Sequence, residues 1–237
     1  MDDLFSRSEA LLGAEAMARL KAARVLVVGV GGVGSWCAEA LVRTGVGHVT
    51  LVDDDMVAES NVNRQCPATA ATVGRPKVEA MAERLAAINP ACEVEAVNVR
   101  YPSSSVSCLK SFDLVVDAID SVDCKAELIL GATETGVPIV SSMGAALRFD
   151  PTKVKVTRFE KVEGDGLARA LRQRFKKLQR FPAVKFSCAW SAEHAVEQSN
   201  NPNNRTISKG SLMQVTATFG MCLASEAIRI LTKGEVK

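Results

Sequence analysis

Histidine and aromatic residues are scarce: two His, one Tyr and two Trp among 237 residues. Neither His48 nor His194 has a carboxylate or second ligand at metal spacing, so no histidine-based metal centre is expected. The two Trp and eight Phe are not interleaved with basic residues, which argues against base stacking in the manner of an RNA-binding sheet. Cys-x-x-Cys pairs are absent as well. Seven cysteines, at 37, 66, 92, 108, 124, 188 and 222, fit reduced thiols in a cytosol better than a disulfide or zinc framework. The longest uncharged stretch, 210–225, is broken by Gln214 and several Ser and Thr and stays short of the roughly 18 apolar residues of a membrane helix. The N-terminus carries Asp2 and Asp3 where a secretory leader has a basic head. A cytoplasmic protein without a membrane segment is therefore expected.

What is present is ordinary globular composition, 47% hydrophobic and 24% charged with a net charge of +2, enough for one sizeable core. Short β-branched runs alternate with helical patterns. Arg24–Val28 reads as a strand ending in glycine, 35–43 as a helix, His48–Val52 as a strand and 76–88 as a helix stopped by Asn89-Pro90. Glu93–Val99, 113–116 and 138–141 follow as strands, with a helix over 123–134 between the last two. Such alternation predicts an α/β, three-layer, Rossmann-like fold with a mostly parallel central sheet. After Asp150-Pro151 the pattern is less regular, with strands expected over 153–158 and 184–186. A long apolar helix is expected over 212–231. No repeat or long linker divides the chain, so 1–237 is read as a single unit. Its parts are an N-terminal helical arm (1–23), a nucleotide-binding half (24–150) and a substrate-facing half (151–237) with a flexible loop near 198–210.

Charge is unevenly spread. Between Asp165 and Lys185 seven Lys or Arg face a single Asp, so this segment is +6 and the remainder −4. Leu167, Leu171, Phe175 and Leu178 recur at helical spacing, which puts Arg169, Arg172, Lys176 and Arg180 on the other face. Such a stripe is either a solvated face or, with Lys177, a phosphate-contacting surface.

Gly29, Gly31, Gly32 and Gly34 form G-x-G-G-x-G between a strand and a helix. Glycines there let the backbone turn sharply against a phosphate, and the helix N-terminus offers free N–H groups and a positive end. Asp53 closes the next strand, where a carboxylate can accept from ribose hydroxyls. The glycine motif alone does not separate a dinucleotide from ATP. Asn61, Arg64, Gln65 and Lys77 do favour a triphosphate, because two cations beside a phosphate turn can stabilise departing pyrophosphate. Asp117 and Asp120 end the fourth strand, where a carboxylate could hold Mg²⁺ or, for Asp120, cap the following helix.

The series GxGGVGS, DxD (Asp53 and Asp55), SNxNRQ, GxPKVE, INP and DAID resembles the ubiquitin-activating-like, ThiF-type adenylating family. That resemblance implies that Gly31 and Gly32 line the phosphate loop. It also implies that Asp53 holds the ribose, that Asn61, Arg64 and Lys77 contact ATP, and that Asp120 binds Mg²⁺. Within the family, the opening Phe5-Ser6-Arg7-Ser8 and the later DAIDSVDCKAELI, VPIVSSMGAALRFDPTKVKV and LARALRQRFKK resemble the branch of tRNA threonylcarbamoyladenosine dehydratases. For that branch, a homodimer in which Arg7 reaches the neighbouring subunit's nucleotide is implied, with a tRNA carrying threonylcarbamoyladenosine as substrate and a sulfur-relay protein as a further partner. The implied reaction adenylates the threonyl carboxylate, and the carbamoyl group of the same side chain then closes on it, with net loss of water. Intramolecular closure needs no acceptor cysteine. Cys188 is accordingly expected to be a buried small hydrophobe. Two rivals are an activator of a ubiquitin-like sulfur carrier, disfavoured by the missing Cys-x-x-Cys pairs, and an NAD-binding oxidoreductase or nucleotide sensor, disfavoured by Arg64 and Lys77.

Overall fold

The computed structural model describes residues 4–102, 108–196 and 209–232. Most of the loop expected near 198–210 lies outside them. Two short helices, α1 (Ser6–Leu12) and α2 (Ala14–Ala22), precede β1 (Arg24–Val28), α3 (Gly34–Thr44), β2 (His48–Val52), α4 (Lys77–Ile88), β3 (Glu93–Val97) and β4 (Leu114–Asp117). Then come α5 (Val122–Thr135), β5 (Ile139–Ser142), β6 (Val154–Arg158), α6 (Gly166–Leu178), β7 (Ser187–Ser191) and α7 (Met213–Thr232). The strands form one seven-stranded sheet in the order β3-β2-β1-β4-β5-β7-β6, parallel except where edge strand β6 runs antiparallel to β7.

Alternation along β1 sets the three layers, because successive side chains leave opposite faces of a strand. Val25 and Val27 enter one core with Cys37 and Leu41 of α3, Met81 and Leu85 of α4, and Phe219 and Leu223 of α7. Leu26 and Val28 enter the other with Leu128 and Ile129 of α5 and Leu171 and Phe175 of α6. Each such side chain contributes about 1.5–3 kcal/mol on burial. By length and composition α7, 20 residues long, is apolar enough to cross a membrane, contrary to the sequence expectation. One face of it, carrying Val215, Phe219, Leu223 and Ala227, is instead packed into the first core.

The expected strand over 184–186 is displaced to Ser187–Ser191, every residue of which is buried. Inserted between β5 and β6, this strand has no solvent face and therefore no alternation to read, while Val184 stands exposed.

A buried acid ties the first helical layer to the loop that carries Arg64. Glu39 of α3 is 5% exposed and accepts from Arg84 of α4 at 2.5 Å, from Arg43 at 2.8 Å and from the Cys66 thiol at 2.8 Å. Burial works to raise its pKa, but these three donors outweigh that effect and hold it at about 2. Its stabilisation is complete above the ordinary value of 4.5 and is lost as the pH falls toward about 2. Glu39→Gln is accordingly expected to lower the urea midpoint at neutral pH and to flatten its fall across that acid window. An unchanged acid profile would remove this role.

Candidate nucleotide and substrate site

Where β1 ends, Gly29 adopts φ +91°, and its N–H donates to the Val52 carbonyl at 2.8 Å. A Cβ at Gly29 would lie 2.6 Å from the Ala118 carbonyl oxygen, and one at Gly34 would overlap the Gly29 carbonyl, so only glycine closes this turn. Gly31 faces open space except for the Gln65 amide, 3.8 Å from a Cβ placed there. The first turn of α3 carries no acid and no side-chain cap, leaving its positive end available to an anion.

Asp53 is positioned by backbone. Its Oδ2 accepts from Val30 N–H at 2.6 Å and its Oδ1 from Asp55 N–H at 2.9 Å. Burial raises its pKa, opposed by Lys77 and by these N–H donors. The following loop folds back through a bridge between Met56 and Pro76, and Lys77 N–H donates to the Asp55 carbonyl, which starts α4 beside Asp53. Lys77, 5% exposed, extends its Nζ to Asp55 Oδ2 at 2.6 Å. Asn61 Oδ1 accepts from Ala58 N–H at 3.0 Å. Arg64 donates to Ser60 O and Asn63 Oδ1 at 2.8 and 2.9 Å, while its carbonyl takes the Trp36 indole N–H at 2.9 Å. Beside it Gln65 is buried and its Oε1 has no partner, an acceptor suited to a hydrated cation or a ligand hydroxyl.

Across the sheet, Asp117 is fully buried. It accepts from Lys125 Nζ at 2.8 Å, Ser141 Oγ at 2.6 Å and Ile119 N–H at 3.2 Å. It is thus a staple between β4, α5 and β5 rather than a metal ligand. Asp120 follows on the exposed β4–α5 loop and is not the helix cap, since Ser121 occupies that position. Arg100 hydrogen-bonds the Cys124 thiol, which, with Asp54 and Asp120 nearby, raises its pKa.

A cavity of about 1020 Å³ gathers these groups at the carboxyl ends of the parallel strands. Of the expected residues, Gly29, Gly31, Gly32, Asp53, Asp55, Asn61, Arg64, Lys77 and Asp120 line it. Gly34 stands behind the turn as a packing glycine, and Arg7 lies exposed on α1, outside the lining. Asp53, Asp54 and Asp55 bring carboxylate oxygens within 4.8 Å of one another. Arg100 and Arg148 also line the cavity and were not singled out from sequence. Arg148 carried a weak signal, as a lone charge ending the small-residue run Gly144-Ala145-Ala146-Leu147. Arg100, in a polar loop, carried none.

The basic helix needs correction. Arg172 turns inward, donating to the Phe159 and Val162 carbonyls at 2.9 and 2.7 Å and lying 5.0 Å from the Phe159 ring centroid. A left-handed Gln179 ends the helix before Arg180, which pairs with Glu134 and Glu127 at 3.0 and 3.3 Å. Arg172 is thereby withdrawn from a free phosphate-facing stripe, and Arg180 is exposed but lies beyond the helix in surface ion pairs, whereas Arg169, Lys176 and Lys177 are exposed on the helix itself. Cys188 is fully buried on β7, outside the cavity lining, and burial pushes its thiol pKa up. His48 does meet a carboxylate, Glu93 across the β2–β3 pair at 3.0 Å, a contact that spacing along the chain did not suggest.

Comparison with known proteins matches residues 5–237 to the ThiF family. The tRNA threonylcarbamoyladenosine dehydratase of Escherichia coli is 38% identical over 95% of this chain and 92% of its own length. That of Bacillus subtilis is 43% identical over 73% and 69%. A crystal structure of the Escherichia coli dehydratase in complex with ATP superposes with a TM-score of 0.85 at 39% identity, covering 96% of this chain and 93% of that one.

Proposed function

The chain belongs to the ThiF family, and on that premise we propose that it is an enzyme that uses ATP to dehydrate N6-threonylcarbamoyladenosine in tRNA to its cyclic form. The observation that carries this reading is the convergence of Asp53, Arg64, Lys77 and Asp120 on one cavity beside a glycine turn. The relatives of high coverage carry that activity in their names, and one of them was crystallised with ATP.

In this reading the glycine turn and the N-terminus of α3 receive the phosphates, Asp53 accepts from the ribose hydroxyls, and the Asn61 amide donates to phosphate oxygen. Arg64 and Lys77 neutralise the departing pyrophosphate, Lys77 exchanging Asp55 for phosphate oxygen. Asp120, with Asp54 nearby, would hold Mg²⁺, which supplies further neutralisation at the triphosphate. The acyl adenylate so formed is closed by the substrate's own carbamoyl group, whose effective concentration makes a protein nucleophile unnecessary. Burial of Cys188 fits that economy. We further assign the exposed Arg169, Lys176 and Lys177 to tRNA phosphates, Arg7 to the neighbouring subunit of a homodimer, and the single 237-residue unit to the cytoplasm, with a sulfur-relay protein as a further partner.

Pyrophosphate exchange into ATP tests the adenylation step. Exchange stimulated by tRNA bearing the threonylcarbamoyl group, and weakened by salt as phosphate contacts are screened, is the expected result. Exchange driven by a small ubiquitin-like carrier protein but not by tRNA would replace the proposed substrate.

A further inference from the structure

Beyond the nucleotide end, the cavity continues between the segment after β5 and the first turn of α6. Gly144, Ala146, Leu147, Leu167 and Ala170 line this part, a slot of small and apolar side chains. Leu147 holds a left-handed φ of +61°, anchored by donation from its N–H to Gly210 O at 2.8 Å and by acceptance from Val196 N–H at 2.9 Å. Bonds on both sides fix this otherwise unfavourable backbone.

Arg148 sits in the wall of this slot, 5% exposed. Its guanidinium donates to the Glu193 carbonyl and stands 3.6 Å from Asp165, while its Nε–H is buried without a partner. Asp165 cannot swing to fill that need, since its oxygens already accept from Gly144 N–H at 3.1 Å and Ala168 N–H at 2.9 Å. Buried donors are nearly always satisfied, so an orphan in a cavity wall marks a place for an acceptor. Because Asp165 already balances the charge of Arg148, the acceptor that fits is a neutral carbonyl rather than a free anion.

We propose that this slot is the acceptor subsite of the dehydratase reading, on which the inference rests. The slot takes the flat base of the modified nucleoside out of its stack, and a shift of the Arg148 side chain opens its buried Nε–H to the cavity, where it donates to the carbamoyl carbonyl oxygen of the substrate's side chain. Held there, the side chain presents its carboxylate toward the nucleotide end. A substrate lacking the carbamoyl group leaves the donor orphaned and is rejected.

The test measures ATP affinity by calorimetry and turnover of threonylcarbamoylated tRNA by product mass, in the unaltered chain, Arg148→Lys and Ala170→Trp. Ala170→Trp fills the slot and should lower turnover about a hundredfold or more while ATP affinity changes less than about threefold. Arg148→Lys, which keeps the charge but loses the fork, should raise KM for the tRNA about tenfold. Should Arg148→Lys fail to fold, Ala170→Trp decides alone. An unchanged KM in a folded Arg148→Lys, turnover by Ala170→Trp like that of the unaltered chain, or loss of ATP binding together with turnover would overturn the subsite while leaving the dehydratase reading intact. No turnover of this tRNA by the unaltered chain would remove that reading, and the subsite with it.

Discussion

Lys125→Met is expected to destabilise the protein by about 3–5 kcal/mol, the cost of leaving one member of a buried ion pair alone. Both Lys125 and Asp117 are fully buried, 2.8 Å apart. Without the ammonium, Asp117 would keep only Ser141 Oγ and Ile119 N–H, too little to replace a charge partner in the interior. Three elements meet at this carboxylate: the end of β4, the second turn of α5 and the end of β5. Their loosening should free the β4–α5 loop, which carries Ala118 against the glycine turn and Asp120 into the cavity. The denaturant midpoint reports the effect, and Asp117→Leu combined with Lys125→Met should recover much of it, because the pair is then replaced rather than broken. A stable single variant would mean that this pair does not hold the three elements together.

Asp120→Ala should have the opposite profile, full stability with at least about a hundredfold loss of turnover. Its side chain is exposed and does not cap α5, and no ion pair stronger than its field on Arg100 involves it among the described residues. Removing it should therefore change stability by no more than about 0.5 kcal/mol. In the cavity it and Asp54 are the carboxylates left free for a cation, since Asp53 is engaged by backbone N–H groups and Asp55 by Lys77. Turnover and urea titration on the same preparation separate these effects. Near-normal turnover would take Asp120 out of the machinery.

Much of the fold was legible because two periodicities are local. β1 and β2 begin and end where their β-branched runs do, and α3, α4, α5 and α7 fall within a residue or so of their patterns. β7 was placed a few residues early, at 184–186, because a strand buried on both faces has no alternation to mark its bounds. The glycine turn, Asp53, Arg64, Lys77 and Asp120 were legible as motifs, and the fold brings them to one cavity. Harder to read was which cations are free. The charge of α6 is obvious in the sequence, but Arg172 is consumed by carbonyls of the preceding turn, and Arg174 and Arg180 by Asp123, Glu127 and Glu134 of α5. Arg148 carried only a weak signal, and its orphan donor exists only once Asp165 and Glu193 are folded around it.

The most direct measurement is the mass of the modified nucleoside after incubation of the protein with ATP, Mg²⁺ and threonylcarbamoylated tRNA. A nucleoside lighter by one water, formed by the unaltered chain and by Cys188→Ala but not by Asp120→Ala, is the predicted result. An unchanged nucleoside, or a product that disappears when Cys188 is replaced in a folded protein, would contradict direct cyclisation in this cavity.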